Sequence, residues 1–268
     1  MGTNKHPQKR TQKIPASFHV SQLSSSIPDT VLTESINFES VVRKFVEQDR
    51  YVIGFSDLSG FIAARYSQLP YAITLGLRLD DHIIDAIING PTQAYYEQYL
   101  DINRKLSTIA HHIQRLIQST IYAAIVIEPT IGDHEIDENL RYNQTLSADF
   151  SHKMAATRSG LGWIGKSDLF ISERFGPRLR LVTILTNHPL PIGTPIEESE
   201  CGNCTACSSS CPGGAISGHN WNPQKKREDF FDAHKCLKAC REITRQRLGV
   251  EHSICGICIA VCPTGSSK

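Results

Sequence analysis

The segment CGNCTACSSSCP at residues 201–212 decides the fold of the C-terminal part of this chain. Its four cysteines follow the spacing C-x2-C-x2-C-x3-C, and Pro212 comes directly after the last one. This spacing is typical of ligands to [4Fe–4S] clusters. Three closely spaced thiolates on a tight loop can each bind a different iron of one cubane, whereas the fourth is directed toward a neighbouring cluster. The segment therefore predicts a pair of clusters.

A second group of cysteines supplies the remaining ligands. It consists of Cys236 and of the run C-x2-C-x3-C-P over residues 255–263. The two-cluster pattern predicts crossed ligation, in which the last cysteine of each run binds the cluster of the other run. The predicted ligands are Cys201, Cys204, Cys207 and Cys262 in the first set, and Cys211, Cys236, Cys255 and Cys258 in the second set.

Disulfides and zinc are the alternatives for these cysteines. All nine lie between Cys201 and Cys262 of a 268-residue chain, whereas a disulfide-stapled secreted protein would spread them through a small domain. Zinc is common at isolated Cys-x2-Cys pairs, but the third thiolate of the first run has the wrong spacing for a zinc ribbon. The ninth cysteine, Cys240, lies one helical turn after Cys236, and we interpret it as a buried thiol beside a cluster rather than a ligand.

Composition narrows the class of protein. The chain has 28 Lys and Arg against 27 Asp and Glu, and 40% of its residues are hydrophobic, which excludes a disordered chain and a body-wide nucleic-acid surface. No stretch reaches the roughly 18 to 20 apolar residues of a membrane span. Residues 1–17 are predicted to be a disordered basic arm, and they match neither a secretory nor a twin-arginine signal. We therefore expect a cytoplasmic protein.

The body of the chain alternates predicted strands and helices. The apolar stretches YVIGF at 51–55, YAITLGLRL at 71–79 and AAIVI at 123–127 predict buried strands. Apolar residues that step by three and four after Thr92 predict a long amphipathic helix. This alternation indicates helices packed on a sheet.

A glycine-rich turn precedes the last predicted strands. The run GLGWIGK at 160–166 follows a helix predicted over 151–159 and contains three glycines, which allow a tight turn and close approach of the backbone. Strands predicted at Asp168–Ser172 and Arg178–Thr186 are expected to form a hairpin with each other.

The chain is predicted to be α+β with two folded parts. Residues 18–195 form an α/β domain that holds cofactor and substrate, and a proline-containing linker ends near residue 195. Residues 196–268 form a double [4Fe–4S] domain of the bacterial ferredoxin type.

Several segments together resemble the epoxyqueuosine reductase family. They are GLGWIGKSDLFI at 160–171, VTILTNHPLP at 182–191, DAHKC at 232–236 and the two cysteine groups. The resemblance extends from about residue 151 to 264. It implies an α/β domain that binds cobalamin, two [4Fe–4S] clusters that supply it with electrons, and removal of an epoxide oxygen from a modified tRNA base.

The same resemblance implies particular site residues. Matched by position, corrin contacts fall on Lys166, Ile171, Glu173, Val182 and Lys238, mostly through the backbone. The family's proton-donating Asp matches a place near Ser147, so Asp149 and His152 are the candidate donors. Histidine has the more suitable unperturbed pKa. The alternative is that Asp149 or Ser151 simply caps the following helix.

The expected partners are tRNA and a low-potential electron donor of the ferredoxin or flavodoxin type. Two differences from the family bear on binding of the tRNA substrate more than on binding of the cofactors. LKAC at 237–240 replaces an apolar-aromatic segment that faces the substrate, and no C-terminal helical repeats follow residue 264. A basic zone over 225–247 either contacts phosphates or forms a solvated face that offsets the cluster charge.

Two rival functions remain open at this point. One is a ferredoxin-like electron-transfer protein whose body docks partners without cobalamin. The other is a respiratory reductive dehalogenase, which shares the cofactors but is expected to carry a twin-arginine signal.

Overall fold

A computed structural model describes residues 36–47, 49–130 and 144–265 of the chain, so the predicted arm at 1–17 lies outside the described residues. The strands are β1 (Tyr51–Asp57), β2 (Tyr71–Arg78), β3 (Ala124–Ile127), β4 (Gly162–Ile164), β5 (Phe170–Ser172) and β6 (Leu179–Thr186). The helices are α1 (Phe38–Val42), α2 (Asp81–Asp85), α3 (Gln93–Gln118), α4 (His152–Arg158), α5 (Ala206–Ser210), α6 (Ala233–Leu248) and α7 (Ile257–Ala260), with 3-10 turns at Ala64–Tyr66 and Arg227–Asp229.

A four-stranded antiparallel sheet organises the body. Its strand order is β1-β2-β6-β3. Strand β2 pairs with β6 over its whole length, from Tyr71 opposite Thr186 to Arg78 opposite Leu179. Strand β3 is shorter and covers only Thr183–Thr186 of β6. The backbone of β6 at Leu179–Val182 therefore extends beyond β3, and no strand in the described part of the chain pairs with that edge.

Helix α3 covers one face of this sheet. Thr92 caps it by accepting a hydrogen bond from the Tyr95 amide, which satisfies a donor that the helix cannot pair internally. Its apolar stripe of Leu106, Ile109 and Ile113 packs on the sheet, so the predicted long helix is confirmed. Within the described ranges, no helix is long and apolar enough to cross a membrane.

The hairpin predicted between 168–172 and 178–186 is wrong. Strand β5 pairs with β4, where Trp163 lies opposite Ile171, and β6 is held between β2 and β3. The glycine-rich turn explains the difference, because a Cβ at Gly162 would lie only 2.0 Å from the Ile171 carbonyl oxygen. Only glycine lets these two backbones approach so closely. The small β4–β5 ribbon and α4 cover the second face of the sheet.

The cysteine-rich end packs against α2 and the beginning of α3. Ile254 and Ile259 share a core with Leu79, Ile84 and Tyr95. A Cβ at Gly256 would lie 2.3 Å from Ile87 Cδ1, so the loop that precedes α7 fits only with glycine there. The guanidinium of Arg247, at the end of α6, donates to the carbonyls of Asn89 and Pro91. The predicted boundary near residue 195 stays a prediction.

Candidate metal centre

The thiols of the second set converge on one cavity. Cys211, Cys236, Cys255 and Cys258 line it together with Cys240. Apolar side chains close the cavity, namely Ile216, Phe231 and Ile257. The structure therefore brings together the four cysteines that the spacing predicts for one cluster, in largely apolar surroundings.

Local structure explains how these thiols meet. Cys236 lies in the first turn of α6, which Asp232 caps by accepting from the Lys235 amide. A Cβ at Gly213 would lie 2.8 Å from the Lys235 carbonyl oxygen, so glycine allows the turn after Cys211 to lie directly against α6. Cys258 is carried by α7, on the opposite side of the cavity.

The thiols of the first set are also neighbours. Burial, together with smaller contributions from the charges of Cys201, Cys262 and Cys204, raises the pKa of the Cys207 thiol to about 11. Cys262 reaches this run because its own chain lies against the turn between β5 and β6. A Cβ at Gly176 in that turn would lie 1.9 Å from the Thr264 carbonyl oxygen.

The two sets influence each other electrostatically. Burial raises the pKa of the Cys258 thiol well above its ordinary value, and charges on Cys255, Cys236, Cys207 and Cys211 add to the effect. Iron binds thiolates, so loading these sites would release protons from the buried thiols. Within the described ranges, no group of three Cys, His, Asp or Glu side chains is arranged to hold a single metal ion.

Two thiols of the second set have altered acidity because of Cys240. A hydrogen bond with Cys240 lowers the pKa of Cys255 to about 7 and also lowers the pKa of Cys236. The same two hydrogen bonds and burial raise the pKa of Cys240. Among Cys236, Cys240 and Cys255, these hydrogen bonds therefore favour the proton on Cys240.

The predicted corrin contacts are spread over several surroundings. Lys166 is only 4% exposed, and its Nζ donates to the Cys204 carbonyl oxygen at 2.9 Å, which directs it toward the first set. Ile171 is buried, whereas Glu173 is exposed. The Val182 side chain packs in the core on the α3 side of the sheet, and Lys238 lies on the exposed side of α6. The structure does not bring these side chains together.

The two predicted proton donors lie in different environments. His152 is half-buried, with Nδ1 2.8 Å from Thr183 Oγ1 and Nε2 2.9 Å from the Glu128 carbonyl oxygen. The carbonyl can only accept, so Nε2 carries the proton and Nδ1 accepts from the threonine. Burial lowers the pKa of His152 to about 4, so the ring is neutral at pH 7. Asp149 is exposed and pairs with Arg65 at 3.0 Å.

The residues before Asp149 are tied to the cysteine-rich end. Arg227 donates to the carbonyls of Thr145 and Leu146, at 2.5 and 2.7 Å. His234 Nε2 lies 3.1 Å from the Gln144 carbonyl oxygen. His234 and Cys236 are both on α6, so one helix contacts this segment and also carries a predicted ligand.

Two arginines, the half-buried Arg180 and the buried Arg178, were not predicted as part of the site. Arg180 stacks on the Tyr99 ring at 4.5 Å and donates to Asn103 and to the Pro129 carbonyl beside His152. Arg178 is 2% exposed and pairs with carboxylates of α2. The alternation RLRLV at 178–182 was the signal for them, because a charge within a buried strand requires a partner.

Comparison with known proteins decides between iron–sulfur clusters and zinc. Residues 200–265 match the family model of the 4Fe-4S double cluster binding domain. This part of the chain is a double-cluster domain. Its range contains both predicted cysteine sets, and the prediction of an α+β chain with such a domain is confirmed.

Curated relatives extend the similarity beyond the double-cluster domain. The epoxyqueuosine reductase of Aliivibrio fischeri is 29% identical over 211 residues, which are 75% of this chain and 48% of that protein. The epoxyqueuosine reductase of Escherichia coli is 33% identical over 126 residues, which are 44% of this chain and 30% of that protein. The predicted resemblance is confirmed, and the chain spans about half or less of the length of these relatives.

Solved structures share the fold of the sheet and the double-cluster domain. The catabolic reductive dehalogenase NpRdhA superposes with a TM-score of 0.57 at 17% identity, over 80% of this chain and 30% of that chain. Epoxyqueuosine reductase from Streptococcus thermophilus superposes with a TM-score of 0.51 at 14% identity, over 88% of this chain and 67% of that chain. A third structure, of a reductive dehalogenase described for B12-dependent dehalogenation, has a TM-score of 0.55 at 17% identity, over 79% of this chain and 29% of that chain.

Proposed function

We propose that this chain is a reductase of the epoxyqueuosine reductase type, which uses two [4Fe–4S] clusters and cobalamin. The observation that carries the proposal is the meeting of two four-thiol sets at the end of an antiparallel sheet. Two adjacent clusters transfer electrons and do not hydrolyse a substrate, so the body must hold a redox partner or an electron acceptor.

The ligands follow the crossed pattern. The first cluster takes Cys201, Cys204, Cys207 and Cys262, and the second takes Cys211, Cys236, Cys255 and Cys258. The shared cavity of the second set supports this assignment. The influence of Cys201, Cys204 and Cys262 on the pKa of Cys207 supports it for the first set.

The sheet offers features that fit cobalamin. The backbone of β6 at Leu179–Val182 extends past β3, which suits contacts made mostly through backbone groups. The glycine-rich turn brings Ile171 and Lys166 close to the first set. When bound, cobalamin would supply a strongly reducing cobalt centre for removal of the substrate oxygen. The role of this chain is to bind it near the clusters and to deliver a proton.

Asp149 is the proton donor that we propose. The N–H of His152 is already donated to the Glu128 carbonyl, and its low pKa keeps the ring neutral, so His152 orients the start of α4 instead. Asp149→Asn is expected to lower turnover at least 100-fold, the usual size of a general-acid contribution, while cluster content and cobalt reduction survive. His152→Gln should retain turnover. Full activity of Asp149→Asn would contradict this assignment.

The substrate is proposed to be an epoxide, with epoxyqueuosine in tRNA as the first one to test. The decisive experiment is anaerobic purification, reconstitution with iron, sulfide and cobalamin, and gel filtration, followed by assay on tRNA that contains epoxyqueuosine. We expect about eight irons and one corrinoid to elute with the protein, and the tRNA to be converted. Retention of corrinoid without conversion would preserve the cofactor proposal and exclude this substrate.

The proposed electron donor is an acidic low-potential protein of the ferredoxin or flavodoxin type, in the cytoplasm. Helix α6 carries five Lys or Arg residues against one Glu. Lys238 and Arg241 lie beside a surface groove on this helix, near Cys236 of the second set. Complementary charge increases the association rate, so we expect reduction by such a donor to slow as ionic strength rises.

The same basic surface favours a second candidate function, an electron-transfer protein without cobalamin. In that case about eight irons and no cobalt would elute from gel filtration. The clusters would still exchange electrons with protein partners, and epoxyqueuosine in tRNA would remain unchanged.

A further inference from the structure

Helix α6 carries a fifth thiol at the second set, which the crossed ligation does not use. Cys240 is 4% exposed and lies one helical turn after Cys236, so both side chains are on the same face of α6. The two Sγ atoms are 3.9 Å apart. Cys240 also lines the cavity that contains Cys255. It therefore lies between two predicted ligands of one cluster.

The chemistry of this position gives Cys240 a role distinct from that of its neighbours. Cys236 and Cys255 must be thiolates to bind iron, whereas a third cysteine that binds no iron keeps its S–H group. An S–H group is a weak donor, and a thiolate sulfur is a charged acceptor, which strengthens the hydrogen bond. The surrounding cavity wall is apolar, which strengthens such contacts relative to those in open solvent.

We propose that the Cys240 thiol donates its one S–H hydrogen bond to the ligand sulfur of Cys236, beside that of Cys255, and that it thereby raises the reduction potential of the second cluster without binding iron. Reduction adds negative charge to the cluster and its sulfurs, so donors to these sulfurs stabilise the reduced state more than the oxidised one. The proposal rests on the two clusters of the proposed function and does not require cobalamin.

The test compares Cys240→Ala, Cys240→Val and Cys240→Ser in the reconstituted full chain. Iron and acid-labile sulfide are measured first, and the midpoint potentials of both clusters are then measured by EPR-monitored redox titration. All three variants should keep about eight irons. In Cys240→Ala and Cys240→Val the second cluster should become about tenfold harder to reduce, which is about 59 mV for one electron. The first cluster should not change.

Two features of this series separate a hydrogen bond from packing. Valine fills the space of the thiol but lacks a donor, so it should behave like alanine. Serine keeps a donor, so its potential should lie closer to that of the wild type. Unchanged potential of the second cluster in both Cys240→Ala and Cys240→Val would overturn the proposal.

A second outcome would also overturn it. If Cys240→Ala loses about half of the iron while Cys236→Ala keeps it, Cys240 is the ligand and Cys236 is the bystander. The companion variant Cys236→Ala is therefore measured in the same way, and we expect it to lose the second cluster. If the wild-type chain holds no iron–sulfur cluster at all, the proposed function fails first, and that result is visible before any variant is compared.

Discussion

The two sets of thiols share a sequence pattern but differ in their surroundings. The second set faces an apolar cavity and has Cys240 as a neighbour. The first set contains the exposed Cys204, whose carbonyl accepts a hydrogen bond from the buried ammonium of Lys166. Spacing alone therefore does not make the two clusters equivalent. We propose that Cys240 tunes the second cluster, whereas the buried Lys166 ammonium lies beside the first set.

The largest expected effect tests whether the two sets are separate at all. Cys211→Ser should remove the second cluster and leave the first, because Cys211 lines the cavity of the second set. Cys262→Ser should do the opposite. Each variant should lose about four of eight irons, as measured by iron and sulfide analysis together with EPR. Loss of the first cluster in Cys211→Ser would show that ligation is not crossed.

Protonation of His152 at low pH is expected to lower the stability of the folded chain. This effect must be measured separately from the loss of clusters in acid. Burial lowers the pKa of His152 from 6.5 to about 4, so between these values the unfolded chain binds more protons than the folded one. The neutral His152 imidazole makes its full contribution to the free energy of unfolding above pH 6.5, and this contribution is lost as the pH falls toward 4. Between pH 7 and pH 5 the loss should be about 2 kcal/mol.

Urea unfolding of the wild type and of His152→Gln at both pH values measures this loss. The variant should be less stable at pH 7 and should show a flatter dependence on pH. Equal pH dependence of the two proteins would mean that the imidazole is not buried in its neutral form.

A smaller loss of stability is expected from a substitution in the glycine-rich turn. Of the two clusters, only the first should be affected. A Cβ at Gly165 would lie 2.7 Å from Ile171 Cγ1 and 3.4 Å from Cys201 Sγ. Gly165→Ala should therefore cost about 1.5 kcal/mol and lower the iron occupancy of the first cluster. In a double-mutant cycle, Gly165→Ala combined with Ile171→Ala should cost less than the two changes separately. Strict additivity would contradict the contact.

The smallest predicted effect is a change in the reduction potential of the first cluster when Lys166 is replaced. Removing a buried positive charge beside the first set makes reduction less favourable, so Lys166→Met should lower the potential of that cluster by about 59 mV, a tenfold change. The reduction potential of the second cluster should be unaffected. In Lys166→Arg, the potential of the first cluster should lie between those of the wild type and of Lys166→Met. The two potentials are read from one EPR titration. A change in the reduction potential of the second cluster instead would contradict the placement of Lys166 beside the first set.

The sequence predicts the local features well. The stripe after Thr92 predicts α3 because helical periodicity is a local property. Cysteine spacing predicts a double-cluster domain because three predicted ligands of the first cluster, Cys201, Cys204 and Cys207, lie close along the chain. The hairpin prediction is wrong because the partner of β5 depends on the close approach at Gly162. The direction of Lys166 and the buried contacts of His152 depend on residues far away in the sequence, which periodicity does not report.

The contacts of Arg227 and His234 with residues 144–146 have a consequence for timing. Helix α6 positions both Cys236 and, through His234, the segment that leads to Asp149. Under the proposed function, a displacement of that helix would therefore move a cluster ligand and the segment before the proposed proton donor at the same time.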